Sequence, residues 1–335
     1  MSILENADIE RWIASEDAES VIEPDLPIID PHHHLWDLRG DSSMGFRQAL
    51  YLCEEISHDI TNSGHNIVQT VFAQCGAYYR ADGPREMRSV GETEFVNGVA
   101  AMSRSGLYGS TRLCTGIFSA ADLRLGRHVA PVLEAHLAAS PNFRGIRTAF
   151  PSDLNPVFLE GFQLLEHFNL SFDNWSPDFT RLPNLAVLAS KFPSVPVIVD
   201  HLGGKIDPYA KDEEINAWKA AIDSVAAVPN VLIKLGGAQM RIGSWEPPFH
   251  MHQTDKPWSS AQFLELLLPR YQYVLEAFGP NRCMFESNFP VDKDCISYRT
   301  LWNFFKLIAQ RLGLSEAEKN ALFSGTAASA YRLTL

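Results

Sequence analysis

Short apolar segments recur along this chain at intervals of roughly 25 to 50 residues, and each leads into a polar or glycine-containing turn. The eight segments lie at 27–30, 66–75, 113–120, 143–149, 170–175, 196–203, 231–237 and 283–290. Their apolar character is nearly continuous rather than alternating, which is typical of parallel strands covered on both faces. Helical patterns such as 129–139, 182–192 and 298–312 separate or follow them. The pattern predicts an α/β fold, a (β/α)8 TIM barrel, although a doubly wound sheet would be locally similar.

The barrel prediction divides the chain into an N-terminal extension, 1–26, and a single barrel domain, 27–335. The longest insertions follow the first predicted strand, at 39–65, and the seventh, at 239–261. Loops that follow the strands of such a barrel form its carboxyl-end rim, where barrel enzymes bind their substrates. We therefore expect a single domain with rim insertions.

Composition and charge exclude several partners and locations. Of the 335 residues, 40 are Asp or Glu and 28 are Lys or Arg, so the formal net charge is -12 and a nucleic-acid partner is not expected. No apolar run approaches the ~20 residues of a membrane span, and the first residues lack the pattern of a secretory signal. Five cysteines without CxxC spacing indicate reduced thiols, which predicts a cytoplasmic protein without membrane contact.

A histidine cluster follows the first predicted strand, in the run DPHHHLWD at 30–37. Alternation along a strand places His32 and His34 on one face and His33 on the other. Two imidazoles on a rigid strand end provide half of a divalent metal site or a pair of general bases. The alternative is a solvated turn with no chemical role.

At these residues the sequence resembles the amidohydrolase superfamily, and within it the branch that contains L-fuconolactonase, L-rhamnono-lactonase and 2-pyrone-4,6-dicarboxylate lactonase. The resemblance extends through FRGIR at 143–147, SFD at 171–173, DHLGG at 200–204, KLGG at 234–237 and FESNFPVD at 285–292. It implies a (β/α)8 barrel in which His32, His34 and His201 hold a divalent metal, often zinc, or bind the substrate carbonyl without a metal. The alternative for His201 is a buried histidine bonded to a nearby carbonyl.

The sequence departs from this family at the eighth strand, where Asn288 replaces the usual aspartate that activates water. An amide does not titrate near neutrality, so Asn288 can only bind or orient a ligand. Glu286 lies two residues earlier and on the same face, and burial there would raise its pKa into the range of general acid-base catalysis. The equally weighted alternative is a structural ion pair between Glu286 and Lys234 or an arginine.

Other polar residues at predicted strand ends are candidates for substrate binding. Arg147 and Lys234 would bind a carboxylate or a developing oxyanion, and they predict a locally basic pocket for an anionic small molecule. Gln74 and Asp173 are plausible hydrogen-bonding residues of the pocket, whereas Asp292 fits a loop or capping role slightly better. A second histidine pair, His250 and His252, could add metal ligands, but we expect a mobile loop there.

Together these residues favour a hydrolase for a small carbonyl compound, most readily a lactone of a sugar acid or of an acid from aromatic degradation. Catalysis would rest on His32, His34, His201, Glu286 and Asn288. The alternatives are a decarboxylase or an amide hydrolase of the same superfamily, or a ligand-binding barrel weakened by the loss of the aspartate. The sequence leaves a monomer and a homo-oligomer both open.

Overall fold

Eight parallel strands follow one another around a nearly closed barrel in the computed structural model, which describes residues 6–39, 48–205, 207–240 and 246–334. The strands are β1 Ile28–His33, β2 Ile67–Ala73, β3 Arg112–Ser119, β4 Phe143–Arg147, β5 Ser171–Asn174, β6 Val197–Val199, β7 Val231–Leu235 and β8 Cys283–Phe285. Each overlaps one of the eight predicted segments. The predicted (β/α)8 barrel is therefore confirmed.

The barrel closes where the ends of β1 and β8 meet. His33 forms a parallel bridge with Phe289, and the backbone N–H of His34 donates to the carbonyl of Phe289 at 2.7 Å. The N–H of Asn288 donates to the carbonyl of His32 at 2.9 Å. The histidine run and the FESNFP segment are therefore neighbours in space as well as partners in closing the sheet.

Helices cover the outside of the barrel. They are α1 Asn6–Ile13, α2 Cys53–Ser63, α3 Val90–Arg104, α4 Ala130–Ala139, α5 Pro156–His167, α6 Leu182–Lys191, α7 Asp212–Ala226, α8 Ser260–Phe278, α9 Tyr298–Arg311, α10 Glu316–Asn320 and α11 Thr326–Ala330. In the described part of the chain, no helix is long and apolar enough to cross a membrane.

The described part of the N-terminal extension packs on α9. The Asn303 side chain donates to the carbonyl of Ser20 at 3.0 Å, and the Lys306 ammonium donates to that of Ile22 at 2.8 Å. In the first predicted insertion, Trp36–Asp37 pairs with Leu50–Tyr51 as a short antiparallel ribbon before α2 begins. Parts of both insertions, 40–47 and 241–245, lie outside the described residues.

The barrel interior has an apolar layer below a polar layer, because successive inward-facing residues are two positions apart. Met284 on β8 precedes Glu286, and Ile198 on β6 precedes Asp200. Both apolar residues belong to one buried cluster that Tyr331, just after α11, completes. The polar side chains thus lie at the carboxyl ends of the strands, where barrel enzymes place their sites.

Candidate active site

Three buried side chains from β1, β6 and β8 meet at the carboxyl end of the barrel. Nδ1 of His201 lies 2.7 Å from Oε1 of Glu286, and Nδ1 of His32 lies 2.9 Å from Oε2 of the same carboxylate. The backbone N–H of His201 also donates to Oε1 at 3.2 Å. The ion pair of Glu286 with Lys234 or an arginine, expected as an alternative, is thus replaced by a carboxylate shared between two imidazoles.

Two glycines after β7 provide the space for this cluster. A Cβ on Gly236 would lie 2.3 Å from the carbonyl oxygen of Glu286, and one on Gly237 would lie 2.5 Å from Nδ1 of His201. Gly237 also has a positive φ of 65°, which glycine adopts without steric cost. The two glycines of the KLGG sequence therefore let β7 pack closely against the cluster. His201 and Asn288 also have positive φ values, of 55° and 56°.

A second buried network of charges adjoins the cluster. The Lys234 ammonium lies 2.8 Å from Asp173 and 3.1 Å from Asp200, and it is 3.2 Å from Nδ1 of His32. Arg147 approaches Asp200 at 3.3 Å. With Glu286, the network holds three carboxylates and two permanent cations. The prediction of a basic pocket is therefore wrong, because Arg147 and Lys234 are both already paired with aspartates.

Burial and neighbouring charges set the protonation states. Burial, together with the Lys234 ammonium, lowers the pKa of His32 to about 4. Burial also lowers the pKa of His34 well below its usual value, so both imidazoles are neutral at pH 7. Burial alone would raise the pKa of Glu286, but the imidazoles of His201 and His32 lower it to about 2. The expectation that the pKa of Glu286 is raised is wrong, and this residue remains a carboxylate near neutrality.

An open cavity of about 320 Å³ lies above these networks. Its lining consists of His34, Gln74, Cys75, Arg147, Thr148, Ala149, Trp175, His201, Met240, Asn288 and Val291. Five of the residues expected in the site are thus at the pocket surface. Five others are fully buried and absent from the described lining, namely His32, Asp173, Lys234, Glu286 and Asp292. Direct substrate contact by Lys234, Asp173 or Asp292, as expected from the sequence, is not what the structure shows.

Hydrogen bonds fix the orientation of two lining residues. Nδ1 of His34 lies 2.9 Å from the carbonyl of Ala73. A carbonyl can only accept, so Nδ1 carries the hydrogen and Nε2 is left as an acceptor. The side-chain amide of Asn288 donates to Oδ1 of Asp292 at 2.8 Å. Asp292 therefore supports Asn288 from behind the pocket.

Sequence reasoning did not single out Asp200 or Trp175. Asp200 is fully buried and meets Lys234, Arg147 and, at 3.7 Å, Nδ1 of His32. Trp175 lines the pocket and packs edge-on against His201, with ring centroids 4.7 Å apart. Asp200 lies directly before His201 in the DHLGG segment, and Trp175 follows β5, so strand-end position was the available signal.

The structure buries His250 of the second histidine pair, whereas an exposed loop was expected there, and leaves His252 exposed. His250 is fully buried, and its Nε2 lies 3.0 Å from Oδ2 of Asp294. Its Nδ1 accepts the backbone N–H of His252 at 3.1 Å. Although Glu246, His250 and His252 are close enough to form a ligand group, both ring nitrogens of His250 already have protein partners. The pair is also absent from the described pocket lining.

The cluster below the pocket has the donors of a metal site. One ligand atom each from His32, His201 and Glu286 lies within 4.8 Å of the others, and all three residues are buried. Two imidazoles and a carboxylate are donors that zinc accepts. The excess of one carboxylate over the two permanent cations also favours a bound cation. The cluster could therefore bind a metal, with Glu286 in the place expected for His34.

Comparisons with known proteins agree with this architecture. A family model described as Amidohydrolase matches residues 29–333. The uncharacterized protein y4mH of Sinorhizobium fredii is 33% identical in an alignment that covers 92% of this chain and 99% of that protein. An L-fucono-1,5-lactonase of Burkholderia ambifaria is 25% identical in an alignment that covers 79% of this chain and 81% of the lactonase.

Solved structures show the same fold at lower identity. An amidohydrolase from Burkholderia multivorans with bound zinc has a TM-score of 0.68 and 23% identity, covering 92% of this chain and 99% of that one. A 5-carboxyvanillate decarboxylase from Sphingomonas paucimobilis has a TM-score of 0.57 and 12% identity, covering 92% and 100%. A lactonase thus lies among the sequence relatives, and a decarboxylase is among the proteins that share the fold.

Proposed function

This chain belongs to the amidohydrolase family, and on that premise we propose that it hydrolyses the ester bond of a small lactone. The observation that carries the proposal is the position of His34 on the pocket wall. It is a neutral imidazole whose Nδ1 bonds to Ala73 at 2.9 Å, and its ring centroid is 4.9 Å from that of His32 in the buried cluster. A base and a polar cluster thus meet at a pocket of small-molecule size.

In this proposal His34 takes the proton from the attacking water and then gives it to the ring oxygen as the C–O bond of the tetrahedral intermediate breaks. Its lowered pKa keeps it unprotonated at pH 7, and its Nε2 has a lone pair available. Asn288 cannot perform this step, but its side chain lies in the pocket lining and can orient the water or the substrate. Arg147, also in the lining, donates hydrogen bonds to the oxyanion that forms as the water adds.

A divalent cation, most readily zinc, would be held by His32, His201 and Glu286. When bound, it would act as a Lewis acid on the lactone carbonyl. Support comes from the donor set of the cluster and from the zinc bound in the relative from Burkholderia multivorans. The lactone of a sugar acid is the first choice of substrate, because an L-fucono-1,5-lactonase is a relative over most of the chain.

The test combines metal analysis of the purified protein with a panel of sugar-acid and aromatic lactones. We expect the wild type to contain zinc and to hydrolyse at least one lactone. H34N should retain the metal but lose at least about a hundredfold in kcat, because it lacks the base. H201N should lose both metal and turnover. H33N is the matched control, since His33 faces Thr70, at 2.8 Å, rather than the pocket.

Full turnover by H34N would overturn the assigned base. Release of carbon dioxide from a hydroxybenzoate-type acid, with no turnover on the lactone panel, would identify a decarboxylase instead. Tight binding of a lactone without any turnover would identify a ligand-binding barrel. The same assays therefore separate a lactonase from a decarboxylase and from a ligand-binding barrel.

A further inference from the structure

A buried carboxylate on α3 holds the loop that follows β2. One oxygen of Glu92, Oε1, accepts three successive backbone N–H groups: those of Cys75 at 3.1 Å, Gly76 at 2.8 Å and Ala77 at 3.1 Å. Its other oxygen accepts the hydroxyl of Ser119. Glu92 itself is fully buried. The loop thus folds around a carboxylate from another element, 15 to 17 residues further along the chain.

This loop forms one wall of the pocket. Gln74 and Cys75 line the cavity, and the carbonyl of Gln74 accepts Nη1 of Arg147 at 3.0 Å. Nη1 of Arg147 also lies 3.5 Å from Nε2 of His32. A continuous set of contacts therefore runs from Glu92 through the loop backbone to the Arg147 guanidinium and the metal-ligand candidate His32.

The start of α3 is shaped to lie against this loop. A Cβ on Gly91 would lie 2.5 Å from the carbonyl oxygen of Tyr78 and 2.8 Å from the backbone nitrogen of Arg80. Only a glycine lets the helix backbone approach so closely. Gly76, in the middle of the loop, has a φ of 82° and so tolerates the turn that directs three N–H groups at one oxygen.

We infer that Glu92 is a positioning residue, which fixes the Gln74–Cys75 wall and the Arg147 guanidinium for substrate binding. The expected effect on kinetics rests on the proposed lactonase function. The expected effect on the loop structure does not. Three convergent N–H donors are a site that only an anionic or strongly accepting group satisfies. Without that acceptor the donors are buried without partners, and the loop must rearrange to reach water.

The test uses two substitutions of Glu92 and one of its helix neighbour. E92L removes the acceptor, whereas E92Q retains an amide oxygen that can still accept the three N–H groups. T93V is the matched control, because Thr93 is buried on the same helix and bonds to His136 at 2.8 Å, away from the pocket. T93V therefore removes a buried hydrogen bond but leaves the contacts of the loop unchanged.

Two readouts distinguish positioning from general stability. On a lactone substrate, E92L should lower kcat/KM at least about tenfold through both constants, because the displaced wall binds substrate less well and the displaced Arg147 stabilises the oxyanion less. E92Q should restore most of the loss, and T93V should leave both constants unchanged. The second readout is the labelling rate of Cys75 by a methanethiosulfonate reagent.

Cys75 suits this readout because it is partly exposed, whereas Cys53, Cys114, Cys283 and Cys295 are buried. E92L should accelerate labelling at least about tenfold, because the loop that carries Cys75 opens when its three N–H groups lose their acceptor, and C75A confirms the labelled site. T93V should not.

Unchanged labelling in folded E92L, or equal acceleration by T93V, would overturn the inference. If the wild type hydrolyses no lactone, the proposed function fails while the labelling experiment still decides the role of Glu92. If E92L does not fold, E92D is measured instead, because its shorter side chain withdraws the acceptor oxygen from the three N–H groups. A labelling rate and KM equal to those of the wild type in E92D would then overturn the inference.

Discussion

The imidazole of His201 and the carboxylate of Glu286 lie 2.7 Å apart, although 85 residues separate them in the chain. The second carboxylate oxygen lies 2.9 Å from His32. Glu286 thereby connects the ends of β1, β6 and β8 into one unit. A change in this single side chain is expected to disturb both imidazoles at once.

We expect E286Q to lower kcat/KM about a hundredfold and to reduce bound zinc. An uncharged amide can accept from one imidazole but presents an N–H to the other, and it is a poorer metal ligand. Steady-state kinetics and metal analysis check this. D59N is the control, because Asp59 is a buried carboxylate that pairs with Lys293 at 2.8 Å outside the pocket. Unchanged zinc content in E286Q would count against the three-residue ligand set.

The close approach of Gly237 to His201 predicts that G237A loses activity. The added Cβ would lie 2.5 Å from Nδ1 of His201, at a φ of 65°. Gly313 has nearly the same φ, 64°, but open space around its Cβ, so G313A measures the backbone strain alone. Both variants should lose about 1 kcal/mol of stability from that strain, and only G237A should also lose turnover. Equal activity in the two variants would contradict a steric role.

The hydrogen bond from Asn288 to Asp292 predicts that N288D does not create a better enzyme. The substitution would remove the favourable hydrogen bond from Asn288 to Asp292. In its place two carboxyl groups would lie 2.8 Å apart, both fully buried. We expect a loss of about 2 kcal/mol in the free energy of unfolding, together with lower turnover.

The exchanged variant, N288D/D292N, restores one amide and one carboxylate and should recover most of the stability. Thermal unfolding and kinetics of the single and double variants form the test. A large gain of hydrolysis in N288D alone would instead show that this position has lost a catalytic base.

Glu92 predicts a dependence of stability on pH. Burial raises its pKa from 4.5 to about 7, despite the bonds from Ser119 and from the loop N–H groups, which lower it. Between these values the folded state binds a proton that the unfolded state does not, so the contribution to stability falls as the pH rises. The protonated Glu92 side chain should add about 3 kcal/mol to the free energy of unfolding below pH 4.5. This contribution should be absent above pH 7.

Urea unfolding of the wild type and E92Q between pH 4.5 and 8 measures this, because E92Q lacks the titrating group. The wild type should lose stability relative to E92Q as the pH rises through this range. A constant difference between the two proteins would show that Glu92 does not titrate there.

The fold was predictable because its signals are local. Continuous apolar segments identify buried parallel strands, and alternation places residues such as His32 and His34 at a strand end without any knowledge of the partner strand. The same reasoning put His201, Arg147 and Asn288 in one site, since the carboxyl ends of all the strands meet at one rim.

The pairing among these residues was not predictable from the sequence. Strand position does not reveal that Asp173 and Asp200 neutralise Lys234, or that two histidines share Glu286 and lower its pKa. These outcomes depend on distances between strands far apart in the chain. Glu92 escaped attention for the same reason, because nothing local in a helix shows that its carboxylate holds a distant loop.

The buried charge network also depends on Tyr331, which lies just after α11. Its hydroxyl donates to Asp173, and its ring lies 5.4 Å from the Lys234 ammonium and stacks on Phe118. A fragment that stops short of residue 331 would retain every histidine of the pocket and still lack one donor to Asp173. Cleavage after α11 would therefore remove a donor from the buried charge network and leave every residue of the pocket lining in place.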